Sequence, residues 1–213
     1  MSDVTHCLEI TKYVVDDVAR AAGALLPEPS AVPESAKYLR VSSGQEVQEP
    51  QYSYFVRAWD ATEDEHNPLL DAADAADAAH DASTTTGVKW SHHVHLQCEP
   101  YTALDAPLTE FVYWNLKDGA EPAVVRALLT RLMAVVNAIP REEGMHKAGW
   151  GSVVGDETKY FVVIGWDTME AFVTAVANSP AGRALLDDLA EHTVREVRHT
   201  VLNHPQAVVE ARL

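Results

Sequence analysis

Two stretches of the chain decide how it folds. Residues Gly151–Asp167 read GSVVGDETKYFVVIGWD, and residues Gly44–Asp60 read GQEVQEPQYSYFVRAWD. Gly151–Asp167 lies 107 residues after Gly44–Asp60, an offset of about half of the 213-residue chain. At this offset the glycines coincide, and the two Trp-Asp pairs that end the stretches coincide as well. Self-similarity at one fixed spacing is the sequence signature of a repeat.

The same offset relates residues outside these stretches. It places Pro33 on Pro140 and His92 on His199. Several coincidences at one spacing, in segments of the same pattern, predict a tandem duplication.

The second half predicts the elements most clearly. Its apolar spacing predicts a strand, a helix, a hairpin, a helical stretch with a break at Ser179-Pro180, and a closing strand. These occupy residues 110–116, 122–138, 146–154 with 159–166, 169–191 and 194–202. The order β-α-β-β-α-β is the ferredoxin-like arrangement.

The first half predicts the same order with less distinct ends, over residues 6–14, 17–26, 39–47 with 52–59, 67–82 and 88–97. We expect a first half over 1–99, a linker over 100–107, a second half over 108–204 and a C-terminal tail over 205–213. One face of each sheet would pack against its helices, and the other face would be exposed to solvent unless another element covered it. We therefore expect an α+β fold in which two ferredoxin-like βαββαβ halves pack sheet to sheet as an intramolecular α+β barrel.

Charge excludes several classes of function. The chain carries 32 acidic and 16 basic residues, a formal net charge of −16. Such a chain repels phosphate backbones and anionic lipids, so we expect neither nucleic acid nor membrane as a partner. The N-terminus lacks a basic region followed by an apolar one, which predicts a cytoplasmic protein. Cys7 begins the first predicted strand and Cys98 ends the fourth, which is its antiparallel neighbour, and a reduced pair is favoured over a disulfide.

A run in the second half resembles the dimeric α+β barrel superfamily, which includes antibiotic-biosynthesis-monooxygenase-like and stress-responsive A/B barrel proteins. The run is Val162–Ala171, VVIGWDTMEA, with Ser179-Pro180 downstream, and His6–Ile10 resembles the first strand of the stress-responsive branch. The sequence departs from the family at Phe172, where a histidine is frequent. The resemblance implies a barrel interior that holds an apolar or aromatic small molecule, without fixing a reaction.

Alternation along strands groups the candidate pocket residues. If Trp166 faces the barrel, Ile164 and Val162 share its face, and Trp59, Arg57 and Phe55 share the matching face of the first half. A buried Arg57 would indicate an acidic or enolate ligand, whereas an arginine at a strand end reaches solvent or an acid.

Histidines and a tyrosine supply the candidate chemistry. His92 and His199 are the predicted proton-transfer residues, and their alternative role is ordinary sheet-face hydrogen bonding. Tyr113 and Asn115 share a strand face and would hold a substrate carbonyl, or simply fill the strand. His93 and His95 alternate as chelating residues do, but their spacing matches no zinc motif, so no metal is expected.

Together with these residues, the resemblance implies a cofactor-independent small-molecule enzyme, namely a cyclase, an isomerase or an oxygenase with an aromatic or polyketide-like substrate. His92 and His199 would be catalytic, whereas Arg57, Trp59, Tyr113, Asn115 and Trp166 would bind the substrate. The alternative is a non-catalytic stress-responsive protein that binds a small molecule or a partner. Either protein would be a monomer or a homodimer, because fusion of two halves removes the need for a dimer.

Overall fold

A computed structural model describes residues 5–15, 38–61 and 88–204. The chain divides into two compact units, Met1–His93 with Val201–Leu213 and Val94–Thr200. The predicted helices at 17–26 and 67–82 and the predicted tail lie outside the described residues. Among the helices that the structure describes, none is long and apolar enough to cross a membrane.

The described part of the first unit has four strands, β1 Thr5–Val14, β2 Tyr38–Gln45, β3 Tyr52–Ala61 and β4 Val88–Leu96, and the boundary between the units falls within β4, before Val94. Their order in the sheet is β2-β3-β1-β4. The predicted hairpin is confirmed as β2 and β3, which pair antiparallel.

The second unit contains every element of the predicted repeat. Its strands are β5 Leu108–Leu116, β6 Met145–Val153, β7 Asp156–Trp166 and β8 Thr193–Thr200. Its helices are α1 Tyr101–Leu104, α2 Pro122–Asn137, α3 Met169–Asn178 and α4 Pro180–His192. The short α1 lies inside the predicted linker.

Both units have the same strand order, which supports the duplication. In the second unit the order is β6-β7-β5-β8, and the first unit repeats it as β2-β3-β1-β4. In each unit the first strand lies between the third and the fourth, as the ferredoxin-like arrangement requires. The two-half α+β architecture is therefore confirmed, and the packing of one sheet on the other stays a prediction.

The helices α3 and α4 begin where the sequence places caps. Thr168 and Ser179 each accept a hydrogen bond from a backbone N–H of the first turn, at 3.1 Å from Ala171 and 3.0 Å from Gly182. Ser179 precedes Pro180, whose missing N–H costs nothing at a helix start. The predicted break at Ser179-Pro180 is thus confirmed as the boundary between two helices.

One face of the second-unit sheet packs against its helices and forms the core. Val112 and Trp114 of β5 and Val162, Ile164 and Trp166 of β7 lie in this cluster. Buried side chains of the helices complete the core: Val125, Leu128, Leu129, Leu132, Met133, Ala175, Leu185 and Leu189.

Candidate functional site

An apolar recess lies between the second-unit sheet and its helices. It encloses about 600 Å³ counted out to its open mouth, and its inner space is about 60 Å³. The inner space accommodates about four water-sized groups. The sheet lines it with Glu110, Val112, Trp114, Val162, Ile164, Trp166 and Arg195, and the helical side contributes Leu132, Met133, Val135, Val136, Ile139, Phe172, Ala175, Ser179, Gly182 and Leu186.

A carboxyl group is buried in this apolar wall. Glu110 lies at the third position of β5 and is 4% exposed. Its Oε2 accepts a hydrogen bond of 2.7 Å from the indole Nε1 of Trp166. Burial raises the pKa of Glu110 from its ordinary 4.5 to about 7, although the Trp166 hydrogen bond and the Arg195 charge oppose the shift. Both protonation states are therefore accessible near neutral pH.

A histidine lies directly across from this carboxyl on the neighbouring strand. His199 of β8 is the antiparallel partner of Glu110, and it is 2% exposed. Its ring centroid lies 4.9 Å from that of Phe172, which in turn lies 5.8 Å from the Trp166 indole. Burial lowers the pKa of His199, so its imidazole is neutral at neutral pH. Glu110, Trp166 and His199 thus form one cluster, which we call the second-unit trio.

Two predicted site residues, Trp166 and His199, belong to this trio. Trp166, Ile164 and Val162 do share a face, as alternation predicts. That face meets the helices rather than the barrel interior, since Trp166 contacts Phe172 of α3. The described recess therefore lies within one unit, between its sheet and its helices. A pocket between the sheets stays a prediction.

Tyr113 and Asn115 lie on the opposite face of β5 from Glu110. The Tyr113 ring packs 4.9 Å from the Phe161 ring, and the side chain is 6% exposed. Neither residue lines the recess. Their predicted contact with a substrate carbonyl stays a prediction.

The first unit holds an equivalent set of residues. Arg57 of β3 pairs with Glu9 of β1 through a buried ion pair, and the Nε2 of His93 lies 3.4 Å from the Oε2 of Glu9. The Trp59 ring meets the His93 ring edge to face, with centroids 6.3 Å apart. Burial acts to raise the pKa of Glu9, but the His93 hydrogen bond and the Arg57 charge prevail and hold it below its ordinary value. Glu9, Trp59 and His93 form the first-unit trio.

The equivalence corrects the predicted pairing of His92 with His199. His92 stacks on Trp90, with centroids 4.9 Å apart, and therefore lies on the other side of β4 from His93. The residue that meets Glu9, as His199 meets Glu110 across the strands, is His93. The two units thus differ by one residue in this register, which a single fixed offset cannot show.

The carboxyl groups are the residues that sequence reasoning missed. Both come from strands without polar alternation: β5 is buried from Leu108 to Trp114, and Cys7–Tyr13 of β1 are buried too. The usable signal was an offset of 101 residues, which places Glu9 on Glu110 in the first strand of each half. Among the described residues, no cluster of three or more His, Cys, Asp or Glu could hold a metal ion. Cys7 and Cys98 are not joined in a disulfide.

The fold is shared with solved proteins of low sequence identity. A proposed monooxygenase from Lactobacillus acidophilus superposes with a TM-score of 0.59 and 14% identity, over 93% of this chain and 94% of its own. An anthrone oxidase-like protein superposes with a TM-score of 0.61 and 11% identity, over 97% of each chain. A proposed monooxygenase from Fusobacterium nucleatum gives 0.60 and 10%, over 93% and 92%.

No family model and no curated protein matches the sequence. The likenesses to solved structures cover nearly the whole of both chains, so the correspondence extends over both halves. The chain therefore shares the α+β fold of these solved structures, as its sequence predicts.

Proposed function

We propose that the protein is a cofactor-independent oxygenase that acts on an aromatic, polyketide-like molecule in the recess of the second unit. The observation that carries the proposal is the Glu110 carboxyl, which is buried, hydrogen-bonded to Trp166 and open to an apolar recess. Apolar recesses with a few placed polar groups are typical ligand sites. A carboxyl group with a pKa near the working pH is suited to general acid–base catalysis.

The first step in the proposed mechanism is removal of a proton from the substrate. Ionised Glu110 accepts a proton from an acidic C–H or phenolic O–H and leaves an electron-rich enolate. The indole N–H of Trp166 stabilises the carboxylate before this transfer. His199 is neutral and faces Glu110 across the strands, so it can accept a proton at its ring in turn.

The substrate class follows from the walls and from the shared fold. Phe172 and Trp114 offer aromatic surface, and the small inner space admits one edge of a flat ring system. A solved protein of the same fold is described as anthrone oxidase-like, so a tricyclic aromatic ketone is the first substrate to test. With such a ketone, dioxygen would replace CH2 by C=O and be reduced to one water, so no other oxidant is needed.

The test is dioxygen consumption with an anthrone as substrate, for the wild type and for Glu110→Gln. The glutamine keeps an oxygen for the Trp166 N–H but cannot accept a proton, so turnover should fall by about 10²- to 10⁴-fold. Glu170→Gln is the matched control, because Glu170 is exposed at the start of α3. Equal turnover in Glu110→Gln and wild type would remove Glu110 from the reaction. Binding of the ketone without dioxygen uptake by wild type would favour the non-catalytic alternative.

A further inference from the structure

The two trios occupy equivalent positions in their units. Cys7 lies opposite Trp59 in the β1–β3 register, and Leu108 lies opposite Trp166 in the β5–β7 register. Two residues further along the first strand of each unit come Glu9 and Glu110. Each carboxyl group therefore stands at the same distance along the strand from its tryptophan.

The residue that faces each carboxyl group from the third strand of its unit differs between the two trios. The cross-strand partner of Glu9 is Arg57, whereas the partner of Glu110 is Ile164. Both lie two residues before the tryptophan of their strand. Arg57 is 2% exposed and ion-paired to Glu9, so the first unit contains a fixed cation where the second contains an apolar wall.

The charged and titratable groups that face each carboxyl group differ accordingly. In the described part of the first unit, β3 contributes Arg57 and β4 contributes His93. In the second unit, β7 contributes the neutral indole of Trp166, and β8 contributes His199 and Arg195.

The Arg195 charge reaches Glu110 only at longer range, because the guanidinium lies over the Trp114 ring, 5.5 Å from its centroid, on an exposed side chain. The helices α2, α3 and α4 line the recess without a titratable side chain among the described residues. A buried carboxylate beside a buried guanidinium stays ionised, since losing its charge would leave the cation unpaired.

We propose that the residue at this register position, Arg57 in the first unit and Ile164 in the second, decides which carboxyl group can exchange a proton. Because Arg57 keeps Glu9 ionised, the first-unit trio has the geometry of the second-unit trio but does not exchange a proton. Ile164 carries no charge, so Glu110 can gain and lose a proton. The inference rests on the proposed function only where it assigns catalysis to the second unit, because the protonation states can be observed without any substrate.

The first arm of the test is Ile164→Arg, with Ile164→Met as the uncharged control. The probe is the infrared carbonyl band of a protonated, buried carboxylic acid at pH 6, assigned by its loss in Glu110→Gln. We expect Ile164→Arg to lose at least nine-tenths of the band, and Ile164→Met to retain it. A folded Ile164→Arg protein that retains the full band would overturn the proposal.

The second arm examines the first unit and does not depend on placing an arginine in a core. Arg57→Met should add a second band of similar intensity, which the double variant with Glu9→Gln should lack. Glu9→Gln alone should leave the wild-type band unchanged. Loss of that band in Glu9→Gln, or no added band in folded Arg57→Met, would overturn the proposal. Bands that change as expected in a protein without dioxygen uptake would sustain this inference and refute the proposed function.

Discussion

At the scale of single residues, Glu110 couples the stability of the fold to pH. Below about pH 4.5 its carboxyl is protonated in both the folded and the unfolded chain. As pH rises, the unfolded chain loses this proton near 4.5, whereas the folded chain retains it until about 7. The stability contribution is therefore complete below the unfolded value and is lost as pH rises through the folded value.

The loss of stability with rising pH should be absent in Glu110→Gln. The glutamine does not titrate, so the variant should gain stability relative to wild type across this window. The difference in free energy of unfolding should grow by roughly 3 kcal/mol between pH 4 and pH 8, as the shift in pKa requires. Urea denaturation at both pH values measures it. A difference that does not change with pH would mean that Glu110 ionises as readily in the folded chain as in the unfolded one.

Trp166 should set the working pH of the site. Its indole N–H stabilises the ionised form of Glu110, so Trp166→Phe should raise the pKa of that carboxyl further. The acidic midpoint of the pH profile of kcat/KM should move up by about one pH unit, the size expected for a hydrogen bond to a charged group. Trp150→Phe is the control, because Trp150 packs against Tyr160 in the same core. A midpoint that stays in place would exclude this role of Trp166.

At the scale of elements, the cap at Ser179 maintains the boundary between α3 and α4. Ser179→Ala removes the oxygen that accepts from the Gly182 N–H, so the protein should lose about 1 kcal/mol of stability. Thr174→Ala is the control, because Thr174 is exposed within α3 and alanine is the better helix former. Chemical denaturation compares the two. An undiminished stability in Ser179→Ala would show that the cap contributes nothing.

The elements also show how far the sequence could be interpreted. The hairpins, α2 and the break before Pro180 were predictable because their turns, apolar spacing and caps are local signals. The face of Trp166 was not, because alternation shows which residues share a face but not which face meets the helices. Both faces of β5 are buried over seven residues, so no polar alternation marks Glu110. The pairing of Glu9 with His93 depends on the register between β1 and β4, which a single chain offset cannot supply.

At the scale of the whole molecule, the two units carry equivalent trios in which the pKa of the carboxyl group shifts in opposite directions. The repeated strand order places both carboxyl groups, and Arg57 together with the hydrogen bond from His93 distinguishes the first from the second. The predicted tandem duplication would account for the shared geometry, and the residue opposite each carboxyl group would account for the proposed difference in proton exchange between the two units.

The proposed function requires no resident metal or cofactor. Treatment with a chelator followed by gel filtration should leave dioxygen uptake within about twofold of the untreated protein. The treatment removes bound metal ions, and the proposed reaction uses none. The control is the same protein passed through the column without chelator. Uptake that disappears and returns on adding a divalent metal ion would refute cofactor independence.

The most direct test of the account is the pH titration of Glu110 itself. The carboxyl carbon of ¹³C-labelled glutamate can be followed by NMR and assigned as the signal that Glu110→Gln lacks. The account predicts a midpoint at about pH 7, because burial in the apolar wall outweighs the Trp166 hydrogen bond. A midpoint near 4.5, the ordinary value, would contradict the account, because Glu110 would then be an ordinary ionised carboxylate with no special capacity to exchange a proton.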